Sequence, residues 1–244
     1  MNFSEFYASC YNEIHQQKAY SNDAIRLISF LQTMYPEHQF ARLLDFGCGT
    51  GRHLSALGAD NFELWGYDPS INMIAVAKEA FPEIHFNSSL QAIPNEMDLV
   101  YSFFDVVSYQ SVGEQLDVFF ESIAEKIKNS GVIIVDGWYQ EGVQLSPPRI
   151  NIRSFDFKGR KICRRVEPSS SDEFKTTNLK ISLTDERSGE VLALENHTIT
   201  AHSQDDLRTS LEVNGFKHIV FRDGNDWGQT LNRSSWKFMV SAEI

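Results

Sequence analysis

The sequence predicts a doubly wound α/β fold: a seven-stranded, mostly parallel sheet with helices on both faces and a small antiparallel β-sheet inserted into it. Three observations predict this. Apolar runs of strand length alternate with helical periods through the first 136 residues, the pattern of parallel strands joined by crossover helices. Between residues 147 and 202 the period shortens to about two, as in antiparallel sheets. A glycine-rich turn, Gly47-Cys48-Gly49-Thr50-Gly51, separates the first strand from the helix after it.

The elements follow in chain order. Ser21 is expected to cap a helix with Ala24, Leu27, Ile28 and Leu31 on one face, ended by Pro36. Residues 42–46 read as the first buried strand, 51–57 as a helix and 62–67 as the second strand. Pro69 suits the start of the next helix, whose inner face carries Met73, Val76, Ala77 and Ala80. Residues 84–86 form a weak third strand and 97–102 a fourth. Leu116, Phe119, Phe120, Ile123 and Ile127 make an amphipathic helix, and 131–136 the fifth strand. Within the insertion, 150–157, 161–166, 178–184 and 191–201 read as strands, with turns at 158–159, 168–172 and 187–189. Ser203 and Asp206 form a capping-box start, Leu207 and Leu211 face inward, and Gly215 ends the helix. Residues 216–221 and 236–241 are the last two strands. The division predicted is a core of residues 1–146 and 203–244 with an insertion at 147–202.

A net charge of −11 argues against a nucleic-acid partner. One local exception, Lys158-Gly159-Arg160-Lys161 with Arg164-Arg165, reads as a solvated strand face or as a contact for an anionic substrate group. The three cysteines, Cys10, Cys48 and Cys163, show neither a CxxC pair nor zinc spacing, which fits a reducing compartment. Met1-Asn2-Phe3-Ser4-Glu5-Phe6 has an early acid and no apolar core, unlike a signal peptide. No apolar run approaches the roughly 18 residues of a membrane span. A cytoplasmic protein, without a membrane partner, is expected.

The glycine turn carries the chemistry. Glycines let the chain turn tightly and let a ligand approach the backbone. Dinucleotide sites use G-x-G-x-x-G with a pyrophosphate on the helix N-terminus. Here the third glycine comes one residue early, and Asp45 stands two residues before the first. Asp68, at the end of the second strand and 19 residues after Gly49, is placed to accept hydrogen bonds from ribose hydroxyls or to cap a helix.

Asp45-Phe46-Gly47-Cys48-Gly49-Thr50-Gly51-Arg52 resembles motif I of the class I methyltransferases, and Gly66-Tyr67-Asp68-Pro69-Ser70-Ile71-Asn72-Met73 is similar to their motif II. The resemblance implies S-adenosylmethionine as cofactor. It places Asp45, Gly47, Gly49, Gly51 and Arg52 around the methionine part, Asp68 on the ribose, and Pro69 and Met73 near the adenine. Where the family often has an acid near the adenine amino group, this chain has Ser89 and Leu90. Ser102 and Phe103 occupy the motif IV position beside the reacting methyl group.

Beyond the cofactor core, three segments resemble the nucleotide-linked amino-sugar N,N-dimethyltransferases: Tyr11 to Tyr20, Tyr101 to Tyr109, and Val135-Asp136-Gly137-Trp138-Tyr139 followed by the antiparallel insertion. The function implied is methyl transfer to the amine of a small molecule, such as a nucleotide-linked amino sugar. Tyr11 is expected to fold over the cofactor, or else to pack as an ordinary aromatic on an amphipathic arm. His15 and His197 are candidate bases or substrate contacts, and Phe104, Tyr109, Trp138 and Tyr139 candidate walls of the substrate pocket. Cys48 and Asp98 are assigned no chemistry. Three other readings stay open: an oxygen or carbon acceptor, an NAD-dependent oxidoreductase on the same turn, and a non-catalytic cofactor-binding module. The insertion covers the site, forms a homodimer contact, or does both.

Overall fold

The alternating periods become eight α-helices and eleven strands in a computed structural model that describes residues 3–58, 62–170 and 175–244. The chain opens with α1 (Glu5–Ser9), α2 (Tyr11–Ile14) and α3 (Tyr20–Met34). The core continues through β1 (Arg42–Phe46), α4 (Arg52–Leu57), β2 (Glu63–Tyr67), α5 (Ile71–Ala80), β3 (His85–Asn87), β4 (Met97–Ser102), α6 (Glu114–Ala124) and β5 (Ile127–Trp138). After α7 (Gln140–Leu145) come β6 (Asn151–Phe157), β7 (Arg160–Ser170), β8 (Thr176–Asp185) and β9 (Val191–Thr200). Finally α8 (Gln204–Val213), β10 (Lys217–Asp223) and β11 (Lys237–Glu243) return to the core.

The main sheet has the order β10-β11-β5-β4-β1-β2-β3. Strands β3, β2, β1, β4 and β5 pair in parallel, and β11 runs antiparallel to both β5 and β10. Strand β1 is flanked by β2 on one side and β4 on the other, so the winding reverses beside it. Ligands of open α/β sheets bind at that reversal, outside the carboxyl ends of the strands. Helices pack on both faces: α3 and α4 lie over a core holding Leu43, Leu99 and Ile134, while α6 and α8 lie over Leu44, Val100 and Ile133. The second sheet, β6-β7-β8-β9, is antiparallel throughout. Among the described residues no helix is long and apolar enough to cross a membrane.

Several expectations shift in detail. Ser21 does not cap α3; the helix begins at Tyr20 with Ala19 before it, whose carbonyl accepts from Asn22 and Asp23. Ile127 belongs to β5 rather than α6, because α6 ends at Ala124 and Ile127 pairs with Met97. Lys126 secures that corner, its Nζ donating to the Ile93 carbonyl at 3.1 Å. Pro168 stays inside β7, paired with Leu179. Strand β6 has already ended opposite Val166, so β7 is an edge there and proline leaves no ladder donor missing. The rest of the expected 168–172 turn, Ser171 and Asp172, lies outside the described residues. The short helices α1, α2 and α7 were not anticipated. The capping box at Ser203 and Asp206 is present.

Candidate active site

The site is built where β1, β2 and β4 end. Leaving β1, the chain takes positive φ at Gly47 (+93°), Gly49 (+53°) and Gly51 (+78°), values that strain any residue with a Cβ. The turn is held from the β2 side: Gly47 N and Cys48 N donate to the Tyr67 carbonyl at 2.7 and 2.9 Å. Gly49 N donates to Asp68 Oδ2 at 2.9 Å and Ser70 N to Asp68 Oδ1 at 2.8 Å, while Ser70 caps α5. These bonds decide what the turn can hold. The amides of Gly47, Cys48, Gly49 and Gly51 are already paired, and a carboxylate stands where a dinucleotide site would present free N–H groups to a pyrophosphate. Burial raises the Asp68 pKa, opposed by the Ser70 and Gly49 amides, and burial with the nearby Asp68 raises that of Asp45 further. Asp45 Oδ2 is buried without a hydrogen-bond partner among the described residues. Two buried acids, one of them short of a partner, fit a cationic ligand bearing ribose hydroxyls, the chemistry of S-adenosylmethionine.

Beside the turn lies a cavity of about 240 Å³, far larger than the ~30 Å³ share of a water molecule. Its floor includes Gly47, Gly49, Asp68, Pro69 and Met73, with Phe103, Phe104 and Tyr109 from the end of β4 and the turn after it, and Trp138 from β5. The inserted sheet forms the opposite wall with Arg164, Leu179, Ile181, His197 and Ile199. The N-terminal segment adds Phe3, Tyr7, Tyr11 and His15. These four are spaced by four residues, so they stack along one face of the α1–α2 arm, with ring centroids 5.6, 6.1 and 4.5 Å apart in succession. The stripe ends on Phe104, 5.0 Å from His15. Burial raises the Tyr11 pKa well above its usual value and lowers that of His15 to about 3, so both rings are neutral.

Of the predicted residues, the cavity gathers Tyr11, His15, His197, Gly47, Gly49, Asp68, Pro69, Met73, Phe103, Phe104, Tyr109 and Trp138. Gly51 and Arg52 sit at the back of the turn, where Arg52 donates to the Asn12 carbonyl at 3.3 Å and lies over the Tyr20 ring. Asp45 is under the turn beside Tyr101, not in the cavity lining. Ser102 is fully buried, its Oγ donating to the Phe46 carbonyl at 2.6 Å. Ser89 and Leu90 lie outside the lining; Ser89 is exposed and its Oγ bonds Gln91. Tyr139 is turned away as well, because it packs into the core on the α6–α8 face of the sheet.

Phe3, Tyr7 and the apolar residues of the insertion escaped the sequence reading, although the four-residue aromatic spacing of the arm was a visible signal. The basic run divides. Arg160 pairs with Asp185 and Glu190, Lys161 with Glu186, and Arg165 with Glu167. Arg164 alone of the run reaches the cavity, with its Nε buried and lacking a hydrogen-bond partner among the described residues.

A seven-stranded sheet of this order, with an acid-bearing glycine turn at the winding reversal, defines a class I methyltransferase core. The chain belongs to the family described as methyltransferase domain, whose model matches residues 15–219, and it is an S-adenosylmethionine-dependent methyltransferase. It is 24% identical over 230 residues to the dTDP-3-amino-3,6-dideoxy-alpha-D-glucopyranose N,N-dimethyltransferase of Streptomyces fradiae, covering 92% of this chain and 88% of that one. Its fold is that of an S-adenosylmethionine-dependent methyltransferase from Clostridium acetobutylicum (TM-score 0.79, 18% identity, 98% of each chain). DesVI of Streptomyces venezuelae shares it too (TM-score 0.76, 19% identity, 100% of this chain and 99% of that one).

Proposed function

We propose that the enzyme methylates the amine of a small molecule, and that the acceptor is a nucleotide-linked amino sugar. One observation carries this reading: a single cavity brings together the carboxylate of Asp68, the rings of Tyr11 and Tyr109, and the guanidinium of Arg164 from the inserted sheet. The carboxylate and rings suit a cation or amine, the guanidinium a phosphate or sugar oxygen. The Streptomyces fradiae relative, named as an amino-sugar N,N-dimethyltransferase, supports the same class.

When bound, S-adenosylmethionine supplies a methyl group on a good leaving group, the sulfonium. The chain's part is placement and exclusion of water. Asp68 accepts from the ribose hydroxyls with the lone pairs its two amide bonds leave free. Asp45 lies beneath the turn, and Gly47 and Gly49 allow close approach. Tyr11, His15 and Phe104 close the cavity from the arm side. Holding the amine in line is worth up to roughly 7–11 kcal/mol. The Tyr109–His197 pair, 2.9 Å apart, also keeps an oxygen acceptor as a second reading, since such an acceptor needs a base.

Residues 147–202 are, in the same reading, an insertion that walls the site and carries a homodimer contact, supported by exposed Ile150, Ile152 and Leu194. The setting is cytoplasmic, supported by three free cysteines. The test is mass spectrometry after incubation with S-adenosylmethionine and a panel of nucleotide-linked 3- and 4-amino sugars, simple amines and phenols. A product one or two methyl groups heavier on an amino sugar is expected. Transfer to phenols alone would overturn the amine reading.

A further inference from the structure

Resting on that amine-methylation reading, we propose that Glu195, His197 and Tyr109 form a proton relay that deprotonates the acceptor, and that Glu195 is the positioning residue that sets its direction. His197, on β9, is almost wholly buried against Phe3, whose ring lies 5.2 Å away. Its Nδ1 stands 2.9 Å from Tyr109 Oη, and its Nε2 stands 4.0 Å from Glu195 Oε2, an ion-pair distance. At that distance the carboxylate acts through its charge rather than through a hydrogen bond, and it favours the tautomer that turns an N–H toward it, with hydrogen on Nε2. Nδ1 is then an acceptor, Tyr109 Oη–H donates to it, and the lone pairs of Oη are left for an N–H group in the cavity.

The other oxygen of Glu195 is fixed from the arm. Ser4 N donates to Oε1 at 3.1 Å and Ser4 Oγ donates to the same atom, while Ser4 also caps α1. The arm that brings Tyr11 over the site therefore also holds the far end of the relay. The proton step balances. The acceptor's ammonium gives a proton to Tyr109 Oη as the Tyr109 proton passes to His197 Nδ1. The product is a free amine, a neutral tyrosine and an imidazolium facing Glu195. After the methylated product leaves, the proton returns through Tyr109. Burial, the largest influence on His197, lowers its pKa and keeps the resting ring neutral; of the groups that face it, Glu195 raises the pKa and so favours the imidazolium, Arg164 lowers it, and Tyr7 and Tyr109 are neutral.

The experiment is nitrogen-15 NMR of the histidine rings in the full chain, wild type and Glu195→Gln, across a pH titration, with calorimetry of S-adenosylmethionine binding on the same samples. The expected wild-type tautomer carries hydrogen on Nε2. Glu195→Gln should lower the His197 pKa by about one pH unit or more, and move the acidic limb of kcat/KM for an amine acceptor the same way, while Tyr109→Phe lowers kcat by about 100-fold. Hydrogen on Nδ1 in the wild type, or an unchanged His197 titration in Glu195→Gln, would overturn the relay even with binding intact. Transfer to phenols alone, by a wild type that binds S-adenosylmethionine, would instead overturn the amine reading and leave the tautomer result standing.

Discussion

Asp68 should be the side chain on which cofactor affinity depends most. In the structure it accepts one backbone hydrogen bond on each oxygen, from Gly49 at 2.9 Å and Ser70 at 2.8 Å. Each oxygen keeps a second lone pair for a ribose hydroxyl. Hydrogen bonds to a charged group are worth about 1.5–3 kcal/mol each. Losing two at the low end gives about 3 kcal/mol, so Asp68→Ala should weaken binding by roughly 100-fold or more. The substitution also frees the Gly49 amide and loosens the turn, which adds to the loss. Calorimetry of S-adenosylmethionine binding measures the effect, with circular dichroism to show that the variant is folded. Ser70→Ala is the control: it removes the α5 cap, at a cost of about 1 kcal/mol in stability, and leaves the Asp68 carboxylate and both its amide bonds in place. A folded Asp68→Ala protein that binds within threefold of wild type would refute the ribose assignment.

Three further outcomes follow from the same geometry. Asp45→Asn should raise stability at neutral pH by about 1–3 kcal/mol, because it removes a carboxylate whose charged form burial and the nearby Asp68 disfavour, while weakening cofactor binding. The Asp45 pKa is raised in the folded state, so its favourable contribution exists below the usual carboxylate range and is lost as pH rises above it; denaturation curves from pH 4 to 7 should fall less steeply for the variant. Gly66→Ala would put a Cβ 2.5 Å from Phe86 Cδ1 and 2.9 Å from Cys48 Sγ; overpacking of about 1–3 kcal/mol should lower the melting temperature by about 2–4 °C per kcal/mol, read by calorimetric scanning. Tyr11→Phe should slow turnover with little change in melting temperature, and an unaltered rate in a steady-state assay would return Tyr11 to a packing role.

The parallel core was legible because its strands are buried on both faces. Residues 131–136 are a nearly continuous apolar run and the apolar residues of 97–102 suit a buried parallel strand, and both are too short for a typical helix. The insertion was legible by its period of two, with strand ends moved by only a few residues. The short helices of the arm were not, since four or five residues give too few turns for a periodicity to show. At the site, motif residues fixed by backbone geometry, such as Gly47, Gly49 and Asp68, were readable from spacing. Residues whose role depends on another part of the chain were not: nothing near Arg164 in sequence says that it alone of its basic run turns inward. Glu195 acquires its meaning only when β9 brings it to Ser4. Tyr139 misled because it follows Trp138 in one strand end, and neighbours on a strand face opposite sides.

The corner after β4 shows why the antiparallel edge of the sheet matters to the site. Phe104 and Asp105 both take positive φ, +70° and +67°, and two such non-glycine residues in succession cost about 1–3 kcal/mol each. They persist because other elements fix them. From β5, Asp136 Oδ1 accepts from the Asp105 amide at 2.9 Å, and from β11, Lys237 Nζ meets Asp105 Oδ2 at 2.7 Å. Burial pushes the Asp136 pKa up to about 6, and the acids Asp105 and Asp136 raise that of Lys237 against the effect of its own burial. The Phe104 ring lies between Lys18 of the arm, at 4.7 Å, and Lys237, at 5.8 Å, with the edge of His15 against it. The two cations stabilise the ring where it stands in the cavity wall. Strands β5 and β11 therefore set the position of the aromatic wall, and the arm closes against it. The aromatic wall of the site depends on three parts of the chain that are remote in sequence and meet at one strained turn.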